Sequence, residues 1–345
     1  MVNALDPPSQ ARPFSPPVLS RCTLERNAIA QSDGGHQEGH DVIVETSGRA
    51  WLFEREIGPA VCEAVESAVE VQREGPDGPY VKLYDENNRT RRVTVVVMPK
   101  RAIDEKRGQF REDPMNGIAA LDILSASGHR HVLQKVAALE DDETVYLVMP
   151  ATGMRKYQGW KPTSREEMET VRNFFRQLVE GLEDVHSKGI CHARVCLNNV
   201  LFDESREHAY ITNFGWSLLM PVDGENRRLK SVPDGRQSEA SYCSPETFKG
   251  QAYDGVKVDV FAAGAMLFRM LAGRPPFKTA SRIDKDFKRL VCDGEVAEAI
   301  GQDQLELIPN GEMVVTLLKG MMARRPEDRL SLDQVLQHPW MAPGV

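Results

Sequence analysis

The 345-residue sequence contains no C-x-x-C pair, no internal repeat and no apolar run of membrane-spanning length. Its six cysteines, at 22, 62, 191, 196, 243 and 292, are scattered, which excludes the paired spacing of a structural zinc site. A membrane span takes roughly 18 apolar residues; the best candidate, "VFAAGAMLFRMLAG", is short and is broken by Arg269. The first residues, "MVNALDPPSQARPFSPPVL", lack the charged start and continuous apolar core of a signal peptide. The expectation is either a cytoplasmic protein or one whose targeting segment has been removed. Basic residues are in deficit: 43 Lys and Arg against 51 Asp and Glu leave a formal charge of −8. That balance argues against nucleic acid or an anionic membrane as partner. Asn88-Arg89-Thr90 fits a glycosylation acceptor, but such triplets are too common by chance to fix a compartment.

What is present is ordinary globular composition, 41% hydrophobic and 27% charged, in a chain long enough for one large two-lobed domain. Residues 1–48, rich in Pro, Gly, Ser and Gln, read as a partly flexible N-terminal extension. From 49 to 150 the signals are mainly strands: "VESAVEVQ", "PYVKLYDE", "RRVTVVVMPK", "HVLQKVAALED" and "ETVYLVMPA", with a helical patch within 103–126. From 151 to 345 the pattern is helical. "TSREEMETVRNFFRQLVEGLEDVHSKG" has Thr163 or Ser164 as N-cap and Val171, Phe174, Phe175, Leu178, Leu182 and Val185 on one face. "KVDVFAAGAMLFRMLAG" is apolar all round and predicts a buried helix. The fold class expected is α+β, with a small β-rich lobe followed by a larger helical one.

The motifs sharpen this. "QLVEGLEDVHSKGI" runs into "HARVCLNNVLF", and then come "NFG" at 213–215, "SPE" at 244–246, "DVFAAGAMLFRMLAGRPPF" and "RRPEDRLSLDQVLQHPW". In that order and spacing the chain resembles a eukaryotic protein kinase from about residue 50 onward. The resemblance implies the bilobal kinase fold and a site for phosphoryl transfer, which works mainly by placing charge around nucleotide, metal and hydroxyl.

Several of those charges are missing. His192 and Asn199 stand at the His and metal-binding Asn of the H-R-D-x-x-x-x-N loop, but Ala193 replaces its Arg and Arg194 its catalytic Asp. An Arg stays charged and cannot take the hydroxyl proton. Beside a divalent metal at about 6 Å, with an effective dielectric of about 20, it also costs roughly 5 kcal/mol. Cys196 stands where a Lys would steady the γ-phosphate. In the D-F-G motif Phe214 and Gly215 are kept, while Asn213 replaces the Asp, and hard Mg²⁺ favours carboxylate. The strand-lysine position falls on Val96, or on Met98 in another frame, with Lys100 lying past Pro99. The phosphate loop aligns Gly58, Ala60 and Glu63 with three glycines, so side chains and a negative charge stand where bare backbone would cradle phosphate.

What the resemblance retains is architectural. Glu246 is expected to pair with a buried Arg329, and Asp259 to cap the catalytic-loop backbone. A salt bridge between Arg194 and Glu239 and a close approach of Cys196 to Cys243 are further expectations. Residues 216–243 correspond to an activation loop, with Ser231, Ser238 and Ser241 as candidate phosphosites, although a solvated loop is the plainer reading. The Pro-rich start, altered phosphate loop and basic residue at the Asp position look like the secreted rhoptry-type kinase-like proteins of apicomplexan parasites. That likeness implies delivery to a parasite vacuole or cyst compartment.

The reading that follows is a pseudokinase, not an enzyme, acting as a protein-binding scaffold or allosteric partner. No bound nucleotide, cofactor, metal, nucleic acid or small-molecule substrate is expected, and its protein partner is not named by the sequence. The alternatives are an enzyme holding its nucleotide in a non-standard orientation, and a module that binds nucleotide without catalysis.

Overall fold

The computed structural model describes residues 9–31, 37–60, 63–76, 78–106, 113–126, 128–151, 155–156, 161–203, 207–225, 228–231 and 240–342. Two compact units divide the chain: one comprises 16–126 and 133–153, the other 1–15, 127–132 and 154–345. The β-rich N-terminal region and the helical C-terminal region bear out the expected α+β fold class.

In the first unit, adjacent apolar residues such as Val42-Ile43, Trp51-Leu52 and Ala68-Val69 must point to opposite faces of a pleated strand. Both faces are therefore buried, and the neighbours divide between two cores. Val42, Leu52 and Val69 join Ala30, Ala50, Val71 and Tyr80, while Ile43, Trp51 and Ala68 join Cys22, Val93, Val95, Leu139, Tyr146 and Val148. The strands that do this are β1 (Ser20–Gln31), β2 (Gln37–Glu45), β3 (Ala50–Ala60), β4 (Glu63–Arg73), β5 (Tyr80–Lys82), β6 (Arg92–Pro99), β7 (Ala137–Glu140) and β8 (Thr144–Pro150). Their order is β2-β3-β4-β5-β1-β7-β8-β6, and further pairing of β2 with β1 and β4 with β6 closes the sheet on itself. Closure leaves few unpaired strand edges. Helices α1 (Lys100–Lys106) and α2 (Pro114–Ser125) lie in the same unit, with Ile103 and Ile118 packed among Val96, Met98, Ala138 and Val145.

The expectation of a partly flexible extension over 1–48 is corrected by β1 and β2, which occupy most of 20–45 as a hairpin paired from Cys22↔Glu45 to Gln31↔Gln37. Residues of the arm before it are also docked, within the second unit. Ser9 N donates to Lys230 O at 2.8 Å, Arg12 N donates to Leu219 O at 3.0 Å, and Arg12 Nε donates to Met220 O at 3.2 Å.

The second unit has short strands β9 (Arg155–Lys156), β10 (Ile190–Cys191), β11 (Val200–Phe202), β12 (Ala209–Ile211) and β13 (Leu218–Leu219). Its helices are α3 (Arg165–Ser187), α4 (Pro245–Phe248), α5 (Gly255–Ala272), α6 (Lys285–Phe287), α7 (Val296–Ile300), α8 (Gln302–Leu307), α9 (Gly311–Met321) and α10 (Leu332–Leu336). Ser164 is the N-cap of α3, its side chain accepting from Glu167 N, and just past the helix and its C-cap Lys188 comes Gly189, whose φ of 73° a glycine adopts without strain. The whole apolar face expected of this helix is buried. Asp254 caps α5, and that helix is buried along nearly its full length. These two helices fix the loops between them, where the site residues lie.

Candidate functional site

The catalytic-loop residues are organised by one carboxylate. Asp259, fully buried on α5, accepts His186 Nε2–H at 2.9 Å, His192 N–H at 2.8 Å and Ala193 N–H at 2.9 Å. Burial alone would raise its pKa. The bond from His186, the neighbouring imidazoles and the backbone amide outweigh that and hold the carboxyl below its ordinary range. Ala193 sits at φ 60°, a left-handed conformation that costs a non-glycine residue about 1–2 kcal/mol and that the bond from Ala193 N helps to hold.

His192 is buried between this carboxylate and the segment at 212–214. Its Nδ1 accepts Arg194 N–H at 3.2 Å, so the proton is on Nε2, which donates to Thr212 O at 3.1 Å. Its ring packs on Phe214 at 5.0 Å. Burial lowers the His192 pKa, although Asp259 pulls the other way. A histidine kept neutral by the fold loses stability for it as pH falls below the ordinary 6.5, because the unfolded chain takes the proton first. Urea unfolding is expected to show stability declining from about pH 7 to about pH 5. A shallower slope in His192→Gln checks that His192 is the source; an unchanged slope contradicts it.

Arg194, at the position of the missing Asp, places its guanidinium 4.9 Å from the ring of Trp216, a cation–π contact. Sequence reasoning did not single out Trp216; the only signal was an aromatic residue directly after "NFG". Glu239 and Ser238 lie outside the described residues, and so does the expected Arg194–Glu239 bridge. Cys196 is buried beside a cavity of about 10 Å³ lined by Leu178, Leu182, His192 and Val200, among others. That leaves room for about a single water, so Cys196 is part of a packed interior. Cys196 and Cys243 are both free thiols, so no disulfide joins them. Burial pushes the Cys243 thiol up to about 11. Ser231 is buried and exchanges backbone hydrogen bonds with Tyr253, which corrects its candidacy as a phosphosite; Ser241 is only partly buried.

The two positions that would hold metal are bonded to each other. Asn199 Nδ2 donates to Arg194 O at 2.9 Å, which turns Asn199 Oδ1 toward Asn213. Asn213, at φ 63°, donates its Nδ2 to that oxygen at 3.1 Å. A hard cation wants several oxygens, preferably carboxylate. Here it meets two neutral amides, one of whose oxygens is already engaged. No cluster of three or more His, Cys, Asp or Glu able to hold a metal occurs among the described residues. The residues present do not fit the paired-metal arrangement. Asn213→Asp is expected to cost about 1–2 kcal/mol in chelator, because a carboxylate oxygen then faces Asn199 Oδ1 with no proton between them. Urea unfolding measures this, and a stabilised variant would contradict the arrangement.

Glu246 and Arg329 meet in a buried bidentate ion pair at 2.6 and 2.7 Å. Arg329 also donates to Ala323 O and Lys257 O, and its guanidinium lies 4.8 Å from the Phe261 ring.

The remaining positions lie in the first unit. Gly58, Ala60 and Glu63 are on the β3–β4 hairpin, paired Gly58↔Val65 and Ala60↔Glu63; their side chains lie outside what is described. Val96 is on β6, buried against Met98 and Ile118. Kinases pair a strand lysine with a helix glutamate. In this chain the strand offers Val96, and α2 has no glutamate, its one acid, Asp122, being bound to Lys135 and Val18 N. Lys100 is tied instead to Glu140 and to Asp141 O, both at 2.7 Å.

The protein kinase domain model matches residues 77–341. The chain belongs to the protein kinase domain family. It is 26% identical over 223 residues to the Aurora kinase of Schizosaccharomyces pombe, covering 64% of this chain and 57% of that protein. It is 29% identical over 216 residues to the serine/threonine-protein kinase chk1 of the same organism, covering 62% and 41%. With the serine/threonine-protein kinase PLK2 of Mus musculus the identity is 29% over 218 residues, covering 63% and 29%. The aligned part thus spans 29% to 57% of these relatives' own lengths. Family membership corrects the expectation that the chain is not an enzyme: the protein kinase domain is an enzyme family, and the relatives are named as kinases.

Proposed function

We propose that this kinase domain acts chiefly by binding other proteins, as a scaffold or allosteric partner, and that it does not run the family's base-and-metal route of phosphoryl transfer. The observation that carries the reading is the amide-to-amide bond between Asn213 and Asn199, which uses as structure the two positions that route needs for metal. Arg194 at the Asp position and Val96 at the lysine position support it.

Membership in a family whose relatives are named as serine/threonine kinases favours a second reading. Here the domain transfers a phosphoryl or other group from a nucleotide held in a different orientation. Incubation with ATP labelled on the γ- or the α-phosphate and a general protein substrate separates the two. The first reading expects no label on substrate or on the chain itself. Label that disappears in Asn199→Ala or Asn213→Ala establishes the second.

The narrower likeness to secreted rhoptry-type proteins is part of the proposal, resting on the Pro-rich start, the altered phosphate loop and Arg194. It predicts that the tagged protein reaches a vacuole or cyst compartment in its source cell; a cytoplasmic signal rejects that assignment.

A further inference from the structure

Ile283 is 93% exposed, the most exposed large hydrophobic side chain among the described residues. A lone surface hydrophobe is usually unremarkable on a soluble protein; the backbone beneath this one is not. Asp284 Oδ2 accepts the backbone N–H groups of Lys278 and Thr279, each at 2.9 Å. Its Oδ1 accepts those of Asp286 at 2.9 Å and Phe287 at 3.1 Å. Ser281 Oγ accepts Ile283 N–H at 3.3 Å, and Ser281 O accepts Asp284 N–H at 3.0 Å. Although partial burial works against it, these amide bonds hold the Asp284 carboxyl below its usual range, so the clamp persists at neutral pH. The turn is also fixed from inside. Ala280 and Phe287 are each 1% exposed, and Phe287 packs edge-on against Phe277 at 5.2 Å.

The result is a rigid turn whose apolar tip faces outward. Its rim is cationic: Lys278, Arg282 and Lys285 are exposed and form no ion pair among the described residues, against one exposed acid, Asp286. Further along, Lys288 and Arg289 are already paired with Asp293 and Glu295. This local charge is opposite to the −8 of the whole chain.

We propose that the turn at 278–287 is a docking knob for an acidic protein segment, with Ile283 filling an apolar pocket and Lys278, Arg282 and Lys285 meeting carboxylates around it. A turn whose backbone is ordered before binding loses little freedom on docking, which is how a few residues come to dominate an interface. A membrane is the poorer occupant. One aliphatic side chain and a few cations fall short of what stable membrane attachment takes, and the chain's overall negative charge opposes an anionic surface. The surface gives the protein-binding reading its point of contact and rests on that reading.

The test selects from a displayed library of random short peptides against the folded chain. The synthesised winners are then measured against wild type, Ile283→Ala, the triple change Lys278→Ala, Arg282→Ala and Lys285→Ala, and Phe248→Ala as an exposed control elsewhere. Because Ile283 is in solvent, an unchanged Tm confirms that its variant is folded. The proposal expects acidic peptides carrying an apolar residue. Their binding should weaken about tenfold or more in Ile283→Ala, fall as salt is raised, and stay unchanged in Phe248→Ala. Peptides that ignore Ile283 overturn the knob while leaving the protein-binding reading intact. Failure to enrich any peptide overturns the knob and counts against that reading as well. Retention on phosphatidylserine vesicles through Ile283, with no acidic peptide bound, overturns it in favour of a membrane. Phosphate transfer to a bound peptide would contradict the proposed function without touching the knob.

Discussion

Arg329→Ala is expected to destabilise the protein by about 3–5 kcal/mol, enough to threaten folding at physiological temperature. The guanidinium is wholly buried, so its loss leaves the Glu246 carboxylate stranded at 6% exposure and removes the donors satisfying Ala323 O and Lys257 O. A buried ion pair contributes little net stability compared with a well-packed apolar pair, because taking both charges out of water offsets their attraction. The large cost comes from breaking the pair on one side. The discriminating variant is therefore the double change Glu246→Leu with Arg329→Met, expected to recover a substantial part of the loss. Recovery stays partial because the two carbonyls remain without donors. Urea midpoints for the three proteins measure this, and a double variant no better than the single one would contradict the account.

Asp259→Ala is expected to cost about 3 kcal/mol, since one buried donor, His192 N–H, and two partly buried ones lose their acceptor and an orphaned buried group costs about 1–3 kcal/mol, not fully additively. The effect should be local as well as global. Without the bond to its amide, Ala193 has less to hold it at φ 60°, and amide exchange at 192–194 should accelerate ahead of the surrounding helices. The acid limb of stability carries the same signature. A carboxyl depressed in the fold stabilises fully above its unfolded pKa, near 3.8, and the contribution is lost as pH falls through the lower folded value. Asp259→Asn should flatten that limb. Because His192 loses stability in the same direction from 6.5 downward, the two effects add into a single progressive weakening on acidification.

Much of this arrangement is legible in the sequence where the physical period is regular or the motif local. The α3 face from Val171 to Val185 follows the helical repeat without interruption, and its residues are buried. The β1–β2 hairpin is not legible in this way. "SRCTLERNAIAQ" loses the alternation of a strand because its register shifts between Glu25 and Ala28, with Asn27 at φ 52°. The strand is held by its neighbours and not by its own pattern. The bond between Asn213 and Asn199 is hidden for a related reason. Each residue can be recognised at its motif position, but which way an amide turns depends on Arg194 O, a backbone group that no side-chain pattern reports. Likewise, Val96 betrays a missing lysine, while the absence of its glutamate partner emerges only once α2 is seen packed in the same core.

Whether the metal positions are closed on each other can be read from a denaturant-unfolding titration with ATP, with and without Mg²⁺ or Mn²⁺. A ligand that binds only the folded state stabilises it by about 2.7 kcal/mol at a hundred times its Kd. With Asn199 and Asn213 bonded to each other, no metal-dependent gain in stability is expected at any ATP concentration tried. A gain of that size that requires the metal and vanishes in Asn199→Ala or Asn213→Ala would contradict it.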